Sequence, residues 1–159
     1  MDETSIKVQK QWMYLYRAVE SHGNTLEFLL SPTRDAEAAK RFFLTMLVAS
    51  HPAEPRVITV DKNAAYPKAF AELKVAGQIP EHCELRQVKY LNTLIEQDHR
   101  FMKRLTKPGM GFFSFETAWR TLQGYEIMNM IRKGQVQGED KGDIVRQMAW
   151  VAKIFGVAG

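Results

Sequence analysis

One cysteine, Cys83, stands among 159 residues. It excludes an internal disulfide and suits a reducing compartment. The four histidines, at positions 22, 51, 82 and 99, have no zinc-finger spacing. No apolar run approaches the roughly 20 residues of a membrane span, and the N-terminus lacks a signal-peptide pattern. Internal repeats and low-complexity tracts are absent as well. What is present is an ordinary globular composition, 45% apolar and 25% charged. The length suits one domain that buries a sizeable core.

Charge is unevenly placed. The net charge is +4 with an isoelectric point near 9.2. Between Arg86 and Lys107 six basic residues (Arg86, Lys89, Arg100, Lys103, Arg104, Lys107) meet two acids, Glu96 and Asp98. Outside that window sixteen basic residues are balanced by sixteen acidic ones. The whole excess therefore surrounds Glu96. A solvated helix face has this composition, and so does a surface that contacts a phosphate backbone.

The front of the chain reads as strands. Residues 2–8 put Asp2, Thr4, Ile6 and Val8 on one face by the period of two. Residues 9–11 suit a turn, 12–19 are aromatic and β-branched, and 25–30 form a third strand, so an antiparallel meander is expected. The period then becomes helical. Asp35 can cap a helix to about residue 50, with Ala36, Ala39, Phe43, Met46 and Leu47 on one side. Residues 56–61 are strand-like without alternation, as when both faces are covered. Asn63 can cap the next helix, Pro67 suits its first turn, and Gly77 stops it. A short strand at 84–88 and helices at 91–105, 115–133 and 143–155 complete the chain.

This order, three strands followed by αβ crossovers and helices, is the layout of an α/β, ribonuclease H-like (retroviral-integrase-like) fold. Such a fold has a mixed five-stranded sheet in the order 3-2-1-4-5, flanked by helices. The expected division is a core over 1–134, with a polar link and an amphipathic helix packed on it over 135–159. Strands one and four would be neighbours at the switch point, where α/β sheets place ligands. Asp2 opens the first of them and Asp61 closes the second.

On a helical wheel centred on Glu96, Asn92, His99, Arg100 and Lys103 lie within about 60° of it. The opposite side holds Leu91, Leu94, Phe101, Met102 and Leu105. Asp98 falls in the apolar stripe. A buried carboxylate there is costly without a partner, so a buried arginine or histidine is expected beside it. Two aspartates at strand ends and a helical glutamate can form an oxygen cage for hard divalent ions such as magnesium or manganese. Two such ions, roughly 3.5–4 Å apart, suit in-line phosphoryl transfer. Glu3 competes with Asp2 locally but is expected to point to the other strand face.

Several stretches together resemble the catalytic core of a bacterial insertion-sequence transposase of the DDE type, in the cointegrate-forming small-element family. They are Asp2-Glu3-Thr4, Leu15-Tyr16-Arg17-Ala18-Val19, Phe28-Leu29-Leu30-Ser31, Arg34-Asp35-Ala36 and Asp61-Lys62-Asn63-Ala64-Ala65-Tyr66-Pro67. The series continues with Arg86-Gln87-Val88-Lys89-Tyr90-Leu91-Asn92, Ile95-Glu96-Gln97-Asp98-His99-Arg100 and Met130-Ile131-Arg132-Lys133-Gly134-Gln135. The resemblance implies Asp2, Asp61 and Glu96 as a catalytic triad that holds two Mg2+ or Mn2+ ions. It puts Lys103 on substrate DNA, with Arg100, Arg104, Lys107 and Lys89 as further DNA contacts and Asn92 and His99 in supporting roles.

It also implies joining of 3′-hydroxyl transposon ends to target DNA by a homodimer or larger assembly in the bacterial cytoplasm, at the nucleoid and without a membrane. Family members carry a helix-turn-helix-type region before the first aspartate, whereas here Met1 directly precedes Asp2, as in a truncated or internally started transposase. Leu85 and Thr93 replace a histidine and an asparagine of the pattern. Two other readings stand beside the enzyme: a non-catalytic fragment that binds DNA or a partner as a regulator, and a nuclease that cuts without joining.

Overall fold

The structure is a computed structural model that describes residues 1–49, 54–88, 93–107, 111–135, 141–154 and 156. The elements follow the expected order β-β-β-α-β-α-β-α-α-α. They fall into two compact units, Met1–Ala118 and Trp119–Gly159.

The first unit opens with the meander β1 (Asp2–Val8), β2 (Gln11–Val19) and β3 (Thr25–Ser31). Both pairings are antiparallel, with Asp2 opposite Arg17 and Leu15 opposite Leu30. Gln9 and Lys10 make the two-residue turn between β1 and β2, both at positive φ (50° and 65°). That is the twist a tight hairpin needs, taken here without glycine. As the alternation predicts, Thr4, Ile6 and Val8 are buried while Ser5 and Lys7 are exposed. The loop before α4 is tied to this hairpin: Gln9 N–H donates to Phe112 O at 2.7 Å, and Phe112 N–H donates to Lys7 O at 2.9 Å. Gly111 permits that approach, because a Cβ there would lie 2.8 Å from the Lys7 carbonyl oxygen.

Helix α1 (Ala36–Ala49) begins at Asp35, whose Oδ1 accepts the Ala38 N–H at 2.8 Å. This is the N-cap that the sequence predicts. Its buried stripe is Ala38, Ala39, Phe42, Phe43 and Met46, packed toward β3 and α2. Helix α2 (Ala65–Val75) buries Tyr66, Ala69, Phe70 and Leu73. Asn63 acts one residue before the helix boundary: its Oδ1 accepts the Ala65 N–H at 3.0 Å. Gly77 leaves the helix at φ 69°. Between these layers the rings of Tyr16, Phe42, Phe43, Tyr66 and Phe70 form the aromatic centre of the core, with centroids 5.7 to 6.4 Å apart.

The five-stranded sheet is not observed as one ladder. Strands β1-β2-β3 form one sheet, and β4 (Val57–Val60) and β5 (Glu84–Gln87) form a parallel pair. The two pieces meet where the Met1 amine donates to the Thr59 carbonyl at 2.8 Å. Met1 lies beside Thr59, the third residue of β4, which ends at Val60. β4 therefore meets the head of β1 rather than its length. A second difference is in β4 itself. Ile58 and Val60 are buried but Val57 is 39% exposed, so the strand alternates instead of being covered on both faces.

Helix α3 (Thr93–Thr106) packs on β1 and β2. It buries Ile95, Asp98, His99 and Met102, a spacing of three, four and seven that makes one face. Leu105, expected on the apolar side, is 37% exposed. The first unit also holds the start of α4 (Phe115–Arg132); the second holds the rest of α4 and α5 (Ile144–Ile154). Among the described residues no helix is long and apolar enough to cross a membrane.

Candidate metal centre

Three carboxylates converge at the head of β1. Asp2, Glu3 and Asp61 each offer an oxygen, and these oxygens all lie within 4.8 Å of one another. Asp2 and Asp61 come from the start of β1 and the end of β4, which the Met1–Thr59 bond holds side by side. Asp2 turns back so that its Oδ1 accepts the Glu3 N–H at 2.8 Å. Asp61 is fixed in the same manner, its Oδ1 accepting the Asn63 N–H at 3.0 Å.

The presence of Glu3 corrects the expectation that it points away. Its side chain is only 3% exposed. Oε1 accepts Arg34 Nε at 2.6 Å and Asn63 Nδ2 at 3.1 Å, and Oε2 accepts the Tyr66 hydroxyl. Arg34 Nη2 also pairs with Oε1 and reaches to 4.0 Å from Asp61 Oδ2. Glu3 thus ties β1 to the turn that carries Asp61. The strand period could not show that Arg34, Asn63 and Tyr66 would close around it, because they arrive from 31 to 63 residues away.

Crowding three carboxylates raises the cost of their charge. Burial pushes Asp2 up to about 6; the Glu3 N–H opposes the shift, while Asp61 and Glu3 add to it. Asp61 is raised as well, first by burial, with the Asn63 N–H opposing and Glu3 reinforcing. A hard divalent cation takes carboxylate oxygen and relieves this repulsion, so the donor set fits magnesium or manganese.

The other expected site residues divide into three groups. Asp98 is buried with its expected partner: Arg17 Nη2 lies 3.3 Å from its Oδ2. His99 is buried rather than displayed on a polar face, and its Nδ1 is 3.8 Å from Asp2 Oδ2. Burial, then the charges of Arg17 and Lys103, hold this imidazole down to about 3. It is therefore neutral, and the approach to Asp2 is a polar contact rather than an ion pair. Glu96, Arg100, Lys103, Arg104 and Lys107 are exposed on or just after α3. Glu96 is not in the carboxylate group, but it sits three residues before His99, one turn along the helix that meets Asp2. Lys89 and Asn92 lie outside the described residues.

A family profile described as a DDE domain, of the IS240 transposase type, matches residues 1–135. The chain belongs to the DDE transposase family of insertion sequences. Among similar transposases, that of insertion sequence-like element IS431mec in Staphylococcus aureus is 35% identical over 134 residues. The match covers 84% of this chain and 57% of the relative. The transposase of IS257 in transposon Tn4003, also from Staphylococcus aureus, matches to the same extent. An uncharacterized protein of Yersinia pseudotuberculosis is 35% identical over 85 residues, 53% of this chain and 79% of its own length. The chain thus spans little more than half the length of the staphylococcal transposases. Family membership agrees with a mixed α/β core and with an acidic cluster suited to a divalent metal.

Proposed function

We propose that this transposase chain is a DNA strand-transfer core that joins 3′-hydroxyl ends of an element to target DNA. The observation that carries the reading is the meeting of Asp2 and Asp61 from two separate strands in one carboxylate cluster. Asp2, Asp61 and Glu96 would hold two divalent ions, Glu96 from its exposed position on α3. Such ions supply activation of an attacking oxygen and stabilisation of a leaving oxygen in an in-line displacement. Glu3 stays bound to Arg34, Asn63 and Tyr66 and fixes the two aspartates in place. Lys103, Arg100, Arg104 and Lys107 on the α3 side, with Lys89 before it, hold the DNA backbone. His99, buried 3.8 Å from Asp2, has a supporting role, and so does Asn92. The chain acts as a dimer or larger assembly, since two element ends must be joined together.

The test is magnesium-dependent nicking and joining of labelled duplex carrying insertion-sequence terminal repeats. Wild-type protein is expected to join ends with magnesium and not with EDTA, and Glu96→Ala to abolish joining while leaving the melting temperature unchanged. Full activity in Glu96→Ala removes that residue from the site. DNA binding by the wild type without any joining assigns the chain the non-catalytic, regulatory role instead, and cutting without joining assigns it to the nucleases.

A further inference from the structure

The basic residues assigned to DNA so far lie on or near α3. Beside Asp61 the carboxylate cluster carries a feature they leave unused. An open cleft of about 490 Å3 is lined by Arg34, Asp61, Lys62 and Asn63. Arg34 uses Nε and Nη2 on Glu3, and among the described residues its Nη1 has no partner. Its side chain is 47% exposed although the carboxylate it grips is almost wholly covered. Lys62 follows Asp61 directly, is exposed, and has no hydrogen-bond or ion-pair partner among the described residues. Two cationic groups, one of them locked in orientation, therefore face one cleft beside a carboxylate of the cluster.

We propose that Arg34 Nη1 and Lys62 Nζ bind a backbone phosphate of DNA in this cleft, next to the Asp61 carboxylate of the acidic cluster. The inference rests on the strand-transfer reading and deepens it by naming a second backbone contact. A guanidinium fixed by a buried carboxylate is preorganised for a planar fork on phosphate oxygens. Lys62 adds a mobile point charge. Sign matters too. The three carboxylates beside the cleft repel phosphate, and a divalent ion bound to them would offset that repulsion. The cleft therefore takes phosphate once the metal is bound.

Fluorescence anisotropy with a labelled mixed-sequence duplex tests this, in magnesium and in EDTA, over a range of salt. Lys62→Ala removes an exposed group that holds nothing in the fold; Arg34→Gln is the second variant, read beside its own Mn2+ titration because Arg34 also holds Glu3. Each is expected to weaken binding in magnesium by about three- to tenfold and to lower the slope of log affinity against log salt by about one contact. Neither is expected to change binding in EDTA. Lys103→Ala serves as the α3 control, and inorganic phosphate as competitor separates a free-phosphate site from a polynucleotide one. Wild-type affinity and salt slope in both cleft variants, with Lys103→Ala weakened, overturns the cleft alone. No DNA binding by the wild type overturns the cleft and the strand-transfer reading together. Competition by millimolar phosphate with no change in salt slope also counts against a polynucleotide ligand.

Discussion

Asp61→Asn is expected to lower magnesium-dependent joining by about a thousandfold or more, the several kcal/mol that metal stabilisation of a phosphoryl transfer supplies. The substitution keeps the shape of the side chain. The amide oxygen it introduces can still accept the Asn63 N–H that Asp61 Oδ1 holds at 3.0 Å, so the turn after β4 keeps its form. What is lost is the negative charge that Asp61 contributes to the carboxylate cluster. Joining of end-labelled DNA and a thermal melt separate the two effects: activity falls and the melting temperature does not. Activity within tenfold of wild type would place the chemistry elsewhere.

The second large effect is on stability. Arg17 is fully buried on β2, and its guanidinium meets Asp98 on α3. Asp98→Ala leaves that cation without its carboxylate inside the protein, and breaking a buried pair in this way costs about 3–5 kcal/mol. For a chain of this size the melting temperature should fall on the order of 10 °C. Glu96→Ala, on the same helix but exposed, should change stability by less than about 0.5 kcal/mol. Replacing both partners with apolar residues, as Arg17→Met with Asp98→Leu, should recover most of the loss. A fall of under about 3 °C in Asp98→Ala would show that the pair does not hold α3 to the sheet.

These two residues also show where sequence reasoning succeeds. Asp98 falls on the apolar side of its helix, and burial of a lone carboxylate is costly enough that a cationic partner must exist. Local periodicity and solvation suffice for that much, and any sequence exposes them. Which cation answers is a tertiary fact: Arg17 lies 81 residues away on β2. Asp2 and Asp61 were legible for a related reason. Their position at the ends of strand-like runs, in a β-β-β-α-β order, points them to one end of the fold before any contact is known, although β1 and β4 fall in separate sheets.

The rest depended on contacts that a period cannot encode. Glu3 joins the acids because three groups from other elements close around it. His99 sits near Glu96 on a wheel, yet the helix turns it inward onto Asp2, since Ile95, Asp98 and Met102 set the buried face. β4 meets β1 only at its head, a matter of register between segments more than 50 residues apart. Arg34, read in the sequence only as part of a family motif, gains a function from the cleft it lines.

The most direct test is a Mn2+ titration of the purified chain at neutral pH, followed by the paramagnetic signal of the free ion. Saturable binding is expected for the wild type, weakened at least about tenfold by Asp2→Asn and by Asp61→Asn, each of which removes one charged oxygen donor. Binding curves of both variants that overlay the wild type would contradict a metal centre at the meeting point of β1 and β4.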